Sequence, residues 1–481
     1  MTRRNFAMQW SLLAFRPGAT PAAEEPLRIG SDLQLFADGY FIESLRGLTQ
    51  RLHEPVSAGR VITFDKPWEG NVSLYGTIFK DGPLYRMYYR GWNLPEYTNP
   101  KLLKPGESVG ARNEGHTCYA ESRDGHSFTR PDIGLYEFGG SRKNNIVWMG
   151  DGSHNFAPFR DPTGRGPEQY KAVGGNRQLY AWRSPDGVKW ELIRKEPILT
   201  DGAFDSLNVA FYDERRGRYV CIYRDFAQGI RTLKRAESAD FLNWSAGVWA
   251  DYGDTPKEQL YTNATTPYFR APQIYLAFPK RFVNWRTPPS GQPIEGISES
   301  VFMTSRDGIH WDRRFMEAFI RPGRDPRNWV HRTNMVMTGV VPTGDGEISI
   351  YVQRHYNFPS CHVERMTLRT DGFVSVHAGY QGGELLTRPF YMEGSRMVLN
   401  FATSAAGSLR YEVLDENGQP HPGLSFDDTP VIYGDEIEKA VQIRPPARSP
   451  RASLSSRPVR LRFRLKDADL YSVRFVEGQQ P

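Results

Sequence analysis

The sequence predicts an all-β fold, and three of its features lead to that class. The 481 residues include 45 glycines and 35 prolines, so turn-forming residues are frequent. Aromatic residues make up 13% of the chain, and aromatic side chains are favoured on β-strands. The third feature is a short phrase containing Ser, Asp, Gly and an aromatic residue that recurs along the chain.

The recurring phrase spans Ser122–Phe128 in its first copy and Ser184–Trp190 in its second. It returns at Ser238–Trp244 and Ser305–Trp311, and Arg369–Phe373 is a worn fifth copy. The order of residues predicts a strand, an Asp-Gly turn and a second strand that an aromatic residue begins. Copies about 60 residues apart predict a five-bladed β-propeller, in which each blade is a four-stranded antiparallel sheet.

Strand-like segments between the copies complete the predicted blades, and each inner strand leads into a tight connection. The fourth strand of the first blade is predicted at Phe128–Asp132 and that of the fifth blade at Phe373–His377. These assignments follow the order of the repeats along the chain, with each blade taking four consecutive strands.

The C-terminal part of the chain lacks the phrase and predicts a separate β-sandwich. Its last strand alternates Val459, Leu461 and Phe463 with arginines, the pattern of a half-buried strand. We therefore predict a propeller at residues 29–380 and a sandwich at residues 381–481.

The N-terminus predicts an export signal. Residues 2–6, Thr-Arg-Arg-Asn-Phe, match a twin-arginine pattern, and the apolar stretch Ala7–Phe15 follows. Residues 1–28 are therefore interpreted as an export signal or a disordered leader. The expected location is periplasmic or extracellular, with the cytoplasm as the alternative.

Composition excludes several classes of function. The chain has no apolar run of ~18 residues, so membrane insertion is not expected. Its 61 basic and 55 acidic residues give a net charge of +6, too mild over this length to indicate a nucleic-acid partner. Cys118, Cys221 and Cys361 are far apart and form neither a disulfide framework nor a zinc motif.

The repeated S-x-D-G-x-x-W hairpins followed by a sandwich resemble the glycoside hydrolase family 32 and family 43 superfamilies, the invertase-like and arabinanase-like enzymes. The resemblance covers most of residues 65–476 and implies acidic residues around a central cavity. The invertase-like W-x-N-D-P-N-G motif is absent, whereas Arg160-Asp161-Pro162 matches the R-D-P triplet in letters. We interpret this triplet as a hairpin turn, because it follows an inner strand. Some relatives hold an axial calcium ion, but no residue here points to one, so no cofactor is predicted.

Residues just before the inner strands face the axis of a propeller, where such folds bind ligands. Basic residues also recur where the second strands return to the axis, which predicts a pocket for carboxylate, sulfate or phosphate groups. The predicted substrate-binding residues are Asn71, Arg90, His154, Asn155, Asn208, Arg224, Asn263, Arg281, His331, Arg354 and His355.

Hydrolysis of a glycosidic bond requires one carboxyl as acid and another as nucleophile or base. The candidates near the axis are Asp205, Glu258, Glu69 and Glu299. Their individual roles stay open, because the sequence contains no distances.

The function predicted is a glycoside hydrolase that acts on a poly- or oligosaccharide carrying anionic groups. Three alternatives stay open: a glycoside phosphorylase on the same fold, a polysaccharide lyase with a His or Tyr base, and a non-catalytic glycan-binding propeller. The expected partner is a carbohydrate substrate, and the sequence does not indicate an oligomeric state.

Overall fold

The computed structural model describes residues 25–97, 102, 115–292, 294–443, 454 and 457–477. The fold is all-β, as predicted, with short 3-10 turns at Pro95–Tyr97, Ser153–Asn155, Gly166–Glu168 and Pro326–Asn328. The predicted export motif lies outside the described residues. Within those residues, no helix has the length and apolar character needed to cross a membrane.

Five successive antiparallel sheets occupy the segments predicted as propeller blades. Sheet one contains Leu74–Asp81, Leu84–Gly91, His116–Ser122 and Ile146–Trp148. Sheet two contains Ala157–Arg160, Tyr170–Gly174, Tyr180–Ser184 and Glu191–Leu192. Sheet three contains Val209–Asp213, Arg218–Ala227, Ile230–Ser238 and Val248–Trp249. In all three the strands are paired in chain order.

Sheets four and five are less regular. Sheet four contains Thr266–Tyr268, Ala271–Ala277, Met303–Ser305 and Trp311–Asp312. A three-stranded ladder of Lys280–Val283, Ile297–Val301 and Ala318–Ile320 continues from it. Sheet five contains Met335–Val336, Val341–Gly344, Glu347–Arg354, His362–Arg369 and Val56–Thr63.

Two predicted outer strands are wrong. Phe128–Asp132 contributes a single bridge to sheet one, whose fourth strand is Ile146–Trp148. Sheet five is closed by Val56–Thr63 from the N-terminal part of the chain, while Val374–Ala378 pairs in the C-terminal sheet. Burial explains the exchange, because Val374–Ala378 is almost wholly buried and needs partners on both sides, whereas the first five residues of Val56–Thr63 are exposed, as suits an edge.

The repeated phrase forms the predicted turns. In the first copy, the backbone N–H of Gly125 donates to Ser122 Oγ at 2.9 Å, and two further N–H groups donate to Asp124 Oδ1. The N–H groups of Ser127 and His126 and the Ser122 hydroxyl donate to the Asp124 carboxylate and lower its pKa to about 2. Gly125 has φ +74°, and Phe241 occupies the equivalent position of the third copy at φ +69°. In this third copy the N–H groups of Leu242 and Asn243 donate to Asp240 Oδ1, so the carboxylate bonds recur even where glycine is absent.

The C-terminal sheet is built around two long paired strands, Arg396–Leu414 and Arg460–Val476. The other strands of this sheet are Gln34–Leu35, Ile42–Arg46, Thr49–Leu52, Val374–Ala378, Gly383–Thr387 and Asp435–Gln442. A separate short sheet pairs Leu27–Arg28 with Phe390–Tyr391 in parallel. The strands that precede residue 56 thus share a sheet with the strands that follow residue 381.

Asp371, in the worn fifth copy of the phrase, joins the propeller to the C-terminal sheet. Its buried carboxylate accepts hydrogen bonds from Tyr268 at 2.7 Å and from Arg270 at 3.0 Å on the propeller side. Ser472 and Asn400 of the C-terminal sheet donate to its other oxygen at 2.8 and 3.2 Å. Four donors satisfy one buried charge across the two parts of the fold.

Candidate functional site at the propeller axis

Side chains from all five sheets and their entry segments converge at the propeller axis in one basic and aromatic group. This group, called the axial cluster below, consists of Tyr75, Arg90, His154, Arg224, Arg231, Tyr261, Lys280, His331 and Arg332. Arg90 and Arg224 lie near the ends of the second strands of sheets one and three, where the sequence placed them. Lys280 begins the ladder that continues sheet four.

Arg90 connects the first two sheets within the axial cluster. Its guanidinium lies 4.9 Å from the ring centres of both Tyr75 and Trp92, and Nη2 donates to the carbonyl of Val72 at 2.9 Å. Nη1 lies 3.1 Å from His154 Nε2. Burial lowers the pKa of His154 well below its usual value, and the positive charge of Arg90 acts in the same direction. His154 is therefore neutral and able to accept a hydrogen bond from Arg90.

Tyr261 lies among the cations of the third and fourth sheets. Lys280 Nζ is 4.0 Å from the centre of the Tyr261 ring, and the Arg224 and Arg231 guanidiniums are 4.8 and 5.1 Å from it. The backbone N–H of Tyr261 donates to the carbonyl of Lys280 at 2.8 Å, which fixes the ring against the amine. Cation–π contacts of this kind are stronger in desolvated sites.

Lys280 is fully buried, and its Nζ has no hydrogen-bond partner among the described residues. Burial lowers its pKa well below the usual range, and the neighbouring guanidiniums of Arg332, Arg224 and Arg231 lower it further. The Nε atoms of Arg224 and Arg231 are also buried and unpartnered within the described part of the chain. The axial cluster thus contains several donors that have no acceptor in the described part of the chain, which is the charge pattern of an anion site.

His331 and Arg332 bring the fifth sheet to the axis. The His331 ring packs edge-on against Tyr356 at 5.6 Å, and Arg332 Nη1 donates to the Tyr356 hydroxyl at 3.4 Å. Burial lowers the pKa of His331 well below its usual value, as do the charges of Arg332 and Lys280. Arg332 has φ +60°, an uncommon backbone conformation for a non-glycine residue.

Asp205 is the predicted catalytic carboxylate that the structure places against the axial cluster. Its exposed carboxylate forms an ion pair with the buried Arg224 guanidinium, and its backbone carbonyl accepts a hydrogen bond from Tyr75 at 3.3 Å. Asp205 therefore lies at the entrance of the axial cluster, with its charge directed at one of the cluster's arginines.

Glu258 and Glu299 lie together in an adjoining cavity of about 540 Å³ rather than inside the axial cluster. Arg281 bridges them, with Nη1 2.9 Å from Glu258 and Nη2 2.5 Å from Glu299. Arg313 contacts the second oxygen of Glu258 at 2.5 Å. Both predicted catalytic glutamates and the predicted binding residue Arg281 are thus brought together, but as a network of ion pairs.

Glu69 is buried with a relative exposure of 1%, away from the axial cluster. Arg130 donates to its two oxygens at 2.8 and 3.0 Å, and the Tyr89 hydroxyl donates at 2.5 Å. Burial raises the pKa of Glu69, although the charge of Arg130 opposes that shift. The contacts of this predicted catalytic residue are those of an internal ion pair.

The predicted sugar-binding asparagines hold the entry segments in place through their side-chain amides. Asn71 exchanges two hydrogen bonds of 2.8 Å with the backbone of Leu94. Asn155, Asn208 and Asn263 likewise donate to backbone carbonyls around the strand starts, and all four are buried. These asparagines recur in the sequence because each one forms hydrogen bonds that fix the backbone near the start of a strand.

Arg354 and His355 are buried, and their side chains contact residues outside the axial cluster. Arg354 Nε donates to Glu364 at 2.7 Å, and its Nη1 donates to the side chain of Asn334. His355 Nε2 is 3.1 Å from Asp325. The repeat position that aims Arg90 and Arg224 at the axis therefore has a different environment in sheet five.

Sequence reasoning missed five members of the axial cluster, namely Tyr75, Arg231, Tyr261, Lys280 and Arg332. Lys280 directly precedes the predicted Arg281, and successive residues of a strand point to opposite faces, so a shift of one residue exchanged the two. Tyr261 and Arg332 lie in strand-entry segments that already contained candidates. Their signal was position alone, because neither residue type is specific for carbohydrate sites.

The charge of the axial cluster does not suit the axial calcium ion that the resemblance left open. Calcium is bound by oxygen ligands, mostly carboxylates and carbonyls, whereas this site presents guanidinium and amine groups. Across the described ranges, no three or more His, Cys, Asp or Glu side chains are grouped as a metal site requires.

No protein-family model matches the chain, and no curated protein matches it either. Among solved structures, it is similar to a glycoside hydrolase at 13% identity and a TM-score of 0.44, covering 66% of this chain and 92% of that one. It is similar to a family 43 arabinoxylan arabinofuranohydrolase from Bacillus subtilis at 10% identity and a TM-score of 0.38, covering 88% of this chain and 99% of that one. It is also similar to the Bombyx mori family 32 β-fructofuranosidase at 8% identity and a TM-score of 0.43, covering 89% of this chain and 95% of that one. The distant resemblance to families 32 and 43 is confirmed, but at these values it assigns no activity to this chain.

Proposed function

We propose that this chain is a carbohydrate-active enzyme of glycosidase type that binds an anionic saccharide at the axial cluster and cleaves a glycosidic bond there. The observation that supports this most directly is the convergence of four arginines and one lysine on Tyr75 and Tyr261. Buried guanidiniums recognise carboxylate and sulfate oxygens through charge-assisted hydrogen bonds.

The surroundings of the axial cluster fit a saccharide better than a bare inorganic anion. A cavity of about 680 Å³ opens beside His154 and is lined also by Ser153, Tyr180 and Arg177, so it supplies hydroxyl and cationic donors. Its size falls in the range of small-molecule sites. The adjoining cavity carries the exposed Trp285, and an aromatic face offers a sugar ring an apolar surface.

Hydrolysis by paired carboxyls remains one route for the cleavage step. It assigns Asp205, at the entrance of the axial cluster, together with Glu258 or Glu299 from the adjoining cavity. Each of these carboxylates pairs with an arginine, so substrate binding has to displace or rearrange an ion pair before the group acts. The glycoside phosphorylase is the second candidate, because the same cluster suits an attacking phosphate.

The test is calorimetric binding of trigalacturonate and neutral galactotriose to the full-length protein. We expect the acidic trisaccharide alone to bind, and Arg224→Met to weaken it by roughly 10–100-fold, the equivalent of one lost charge-assisted hydrogen bond. Arg464→Met, in an exposed pair of the C-terminal sheet, is the matched control and should bind like wild type. Chondroitin sulfate oligosaccharides extend the panel to sulfate groups.

Turnover is measured as reducing ends released and as sugar 1-phosphate formed from each saccharide that binds, with and without inorganic phosphate. Loss of activity in Asp205→Asn or Glu258→Gln supports the carboxylate route, and strict dependence on phosphate identifies a phosphorylase. Equal affinity for acidic and neutral sugars, or no binding of any acidic saccharide, contradicts the proposed function.

A further inference from the structure

Two buried tyrosines of the axial cluster, Tyr75 and Tyr261, are adjacent, and more cations lie against the ring of Tyr261 than against that of Tyr75. Tyr261 is surrounded by Lys280, Arg224 and Arg231 at ring distances of 4.0 to 5.1 Å, and its side chain is 7% exposed. Tyr75 is 3% exposed, and its hydroxyl donates to the backbone carbonyl of Asp205 at 3.3 Å. Both phenols therefore lie at the same buried end of the proposed saccharide site.

Tyr75 is held there at the expense of backbone strain. It has φ +53° within the strand Leu74–Asp81, and the register of that strand slips immediately after Leu74. A non-glycine residue rarely adopts the left-handed region, because its Cβ crowds the following carbonyl oxygen. Strain of this kind persists where the surrounding structure fixes a side chain, and it is concentrated at functional sites.

Burial and the surrounding charges together separate the proton affinities of the two phenols. Burial raises the pKa of Tyr261, but the positive charges of Arg332 and Arg224 and hydrogen bonding with Tyr75 and Arg224 outweigh it and lower the pKa to about 8. Burial and the adjacent Tyr261 raise the pKa of Tyr75 by more than the charges of Arg90, Arg332 and Arg224 lower it. Neighbouring groups whose proton affinities are driven apart are the pattern of an acid and a base.

We propose that the axial cluster catalyses β-elimination on a uronate residue, with Tyr261 as the base and Tyr75 as the acid. This inference rests on the proposed function in one respect, the binding and cleavage of an acidic saccharide at the axial cluster, and it replaces hydrolysis by elimination. It goes further in naming the substrate class, a polysaccharide with a 4-linked uronate, and in assigning the cleavage to the tyrosines instead of the carboxyls.

The reaction balances without any further reactant. The Tyr261 phenolate takes the proton from C5 of the uronate, the electron pair of that C–H bond forms the C4=C5 double bond, and the C4–O bond breaks. The leaving oxygen takes the proton of the Tyr75 hydroxyl, and transfer of one proton from Tyr261 to Tyr75 restores both groups. The products are a new non-reducing end with an unsaturated ring and a saccharide with a free hydroxyl.

Elimination needs cationic donors at the substrate carboxylate, which hydrolysis does not need, and the arginines supply them. Removing the C5 proton places negative charge on the neighbouring carboxylate, so the transition state requires donors at that carboxylate. Arg224 and Arg231 have buried Nε–H groups without partners among the described residues. Their guanidiniums lie 4.8 and 5.1 Å from the centre of the Tyr261 ring. A fixed cationic environment of this type stabilises charge as it develops.

The decisive experiment measures unsaturated product by its ultraviolet absorbance after incubation with polygalacturonate, alginate and hyaluronan. We expect absorbance from at least one polymer, a loss of at least 100-fold in Tyr261→Phe as expected for removal of a general base, and a comparable loss in Tyr75→Phe. Tyr433→Phe, at an exposed tyrosine of the C-terminal part, is the matched control and should retain wild-type activity. Thermal unfolding of each variant verifies that it is folded.

A second measurement does not depend on the choice of polymer. The tyrosinate absorbance of the native protein should show one tyrosine ionising near pH 8, a step that is absent in Tyr261→Phe and present in Tyr433→Phe. If no tyrosine ionises before the bulk of them near pH 10, the assignment of Tyr261 as base is overturned.

The outcomes separate this inference from the proposed function. Binding of acidic saccharides with release of reducing ends but no unsaturated product overturns the elimination and leaves the proposed function in place. Binding with no cleavage of any kind overturns both the elimination and the proposed enzyme. Failure to bind any acidic saccharide contradicts the proposed function itself.

Discussion

Replacing Glu69 with glutamine tests whether this carboxylate stabilises the fold or acts on substrate. Glu69 is buried and receives two hydrogen bonds from Arg130 and one from Tyr89, at 2.5 to 3.0 Å. The Glu69→Gln side chain keeps the size of glutamate but removes the charge that balances a guanidinium with only 16% of its side chain exposed. If its role is structural, the variant unfolds more easily while its active site is unchanged.

The expected loss is about 3–4 kcal/mol in the free energy of unfolding. Hydrogen bonds to charged groups contribute about 1.5–3 kcal/mol each, and removing one partner of a buried ion pair costs about 3–5 kcal/mol. Arg130 keeps a hydrogen bond to the carbonyl of Thr63 and a long contact of 3.6 Å with the exposed Asp65, which places the estimate in the lower part of that range.

Urea unfolding followed by tryptophan fluorescence measures this loss as a lower midpoint. Glu54→Gln is the matched control, since Glu54 pairs with Arg321 at 3.0 Å but both side chains are more than half exposed, and it should change stability by less than about 1 kcal/mol. The double variant Glu69→Gln with Arg130→Met should recover part of the loss. Equal stability of Glu69→Gln and Glu54→Gln would refute the reasoning, as would lost turnover at unchanged stability.

Three further predictions concern the walls of the site. Gly152→Ala should destabilise the protein by roughly 1–3 kcal/mol more than Gly150→Ala, because both glycines have positive φ but only at Gly152 does a Cβ meet the Trp182 ring, at 2.2 Å; differential scanning calorimetry compares the two. Asn155→Ala should lower stability by roughly 2–4 kcal/mol and leave KM unchanged in the folded enzyme, since its amide bonds only backbone groups; a changed KM would return it to the substrate site. Affinity for an acidic saccharide should fall as the pH rises through about 8, because ionisation of Tyr261 adds a negative charge at the anion site; calorimetry at pH 7 and 9 should show no such fall in Tyr261→Phe.

The repeats predicted the propeller well because the Ser-Asp-Gly turn is a local structure. The hydroxyl of Ser122 and the carboxylate of Asp124 satisfy amides within the same few residues, so each copy specifies its own geometry. The outer strands were less predictable, since any strand that can tolerate an exposed edge can pair with the last strand of a sheet. Val56–Thr63 closes sheet five from almost 300 residues away, and no local pattern records that pairing.

The candidate site residues were predicted by position and not by chemistry. The rule that second strands return to the axis led to Arg90 and Arg224, which the structure has in the axial cluster, because the strands of their sheets pair in chain order. In sheet four the same rule selected Arg281, although the neighbouring Lys280 is the residue that faces the cluster. A separate ladder begins at this point, in which Lys280–Val283 pairs with Ile297–Val301. Burial and ion pairing, which decide the roles of Glu69 and Asn155, depend on distant residues that sequence spacing does not reveal.

The closure of sheet five by Val56–Thr63 has a consequence for synthesis of the chain. At ~5–20 residues per second, the partner strand His362–Arg369 leaves the ribosome roughly 15–60 s after Val56–Thr63. Throughout that interval the earlier strand has both edges unpaired, and its exposed Ser57, Gly59 and Arg60 discourage association with other strands. The last ladder of the propeller therefore forms late, and chaperones that bind unpaired strands can reach this segment until it does.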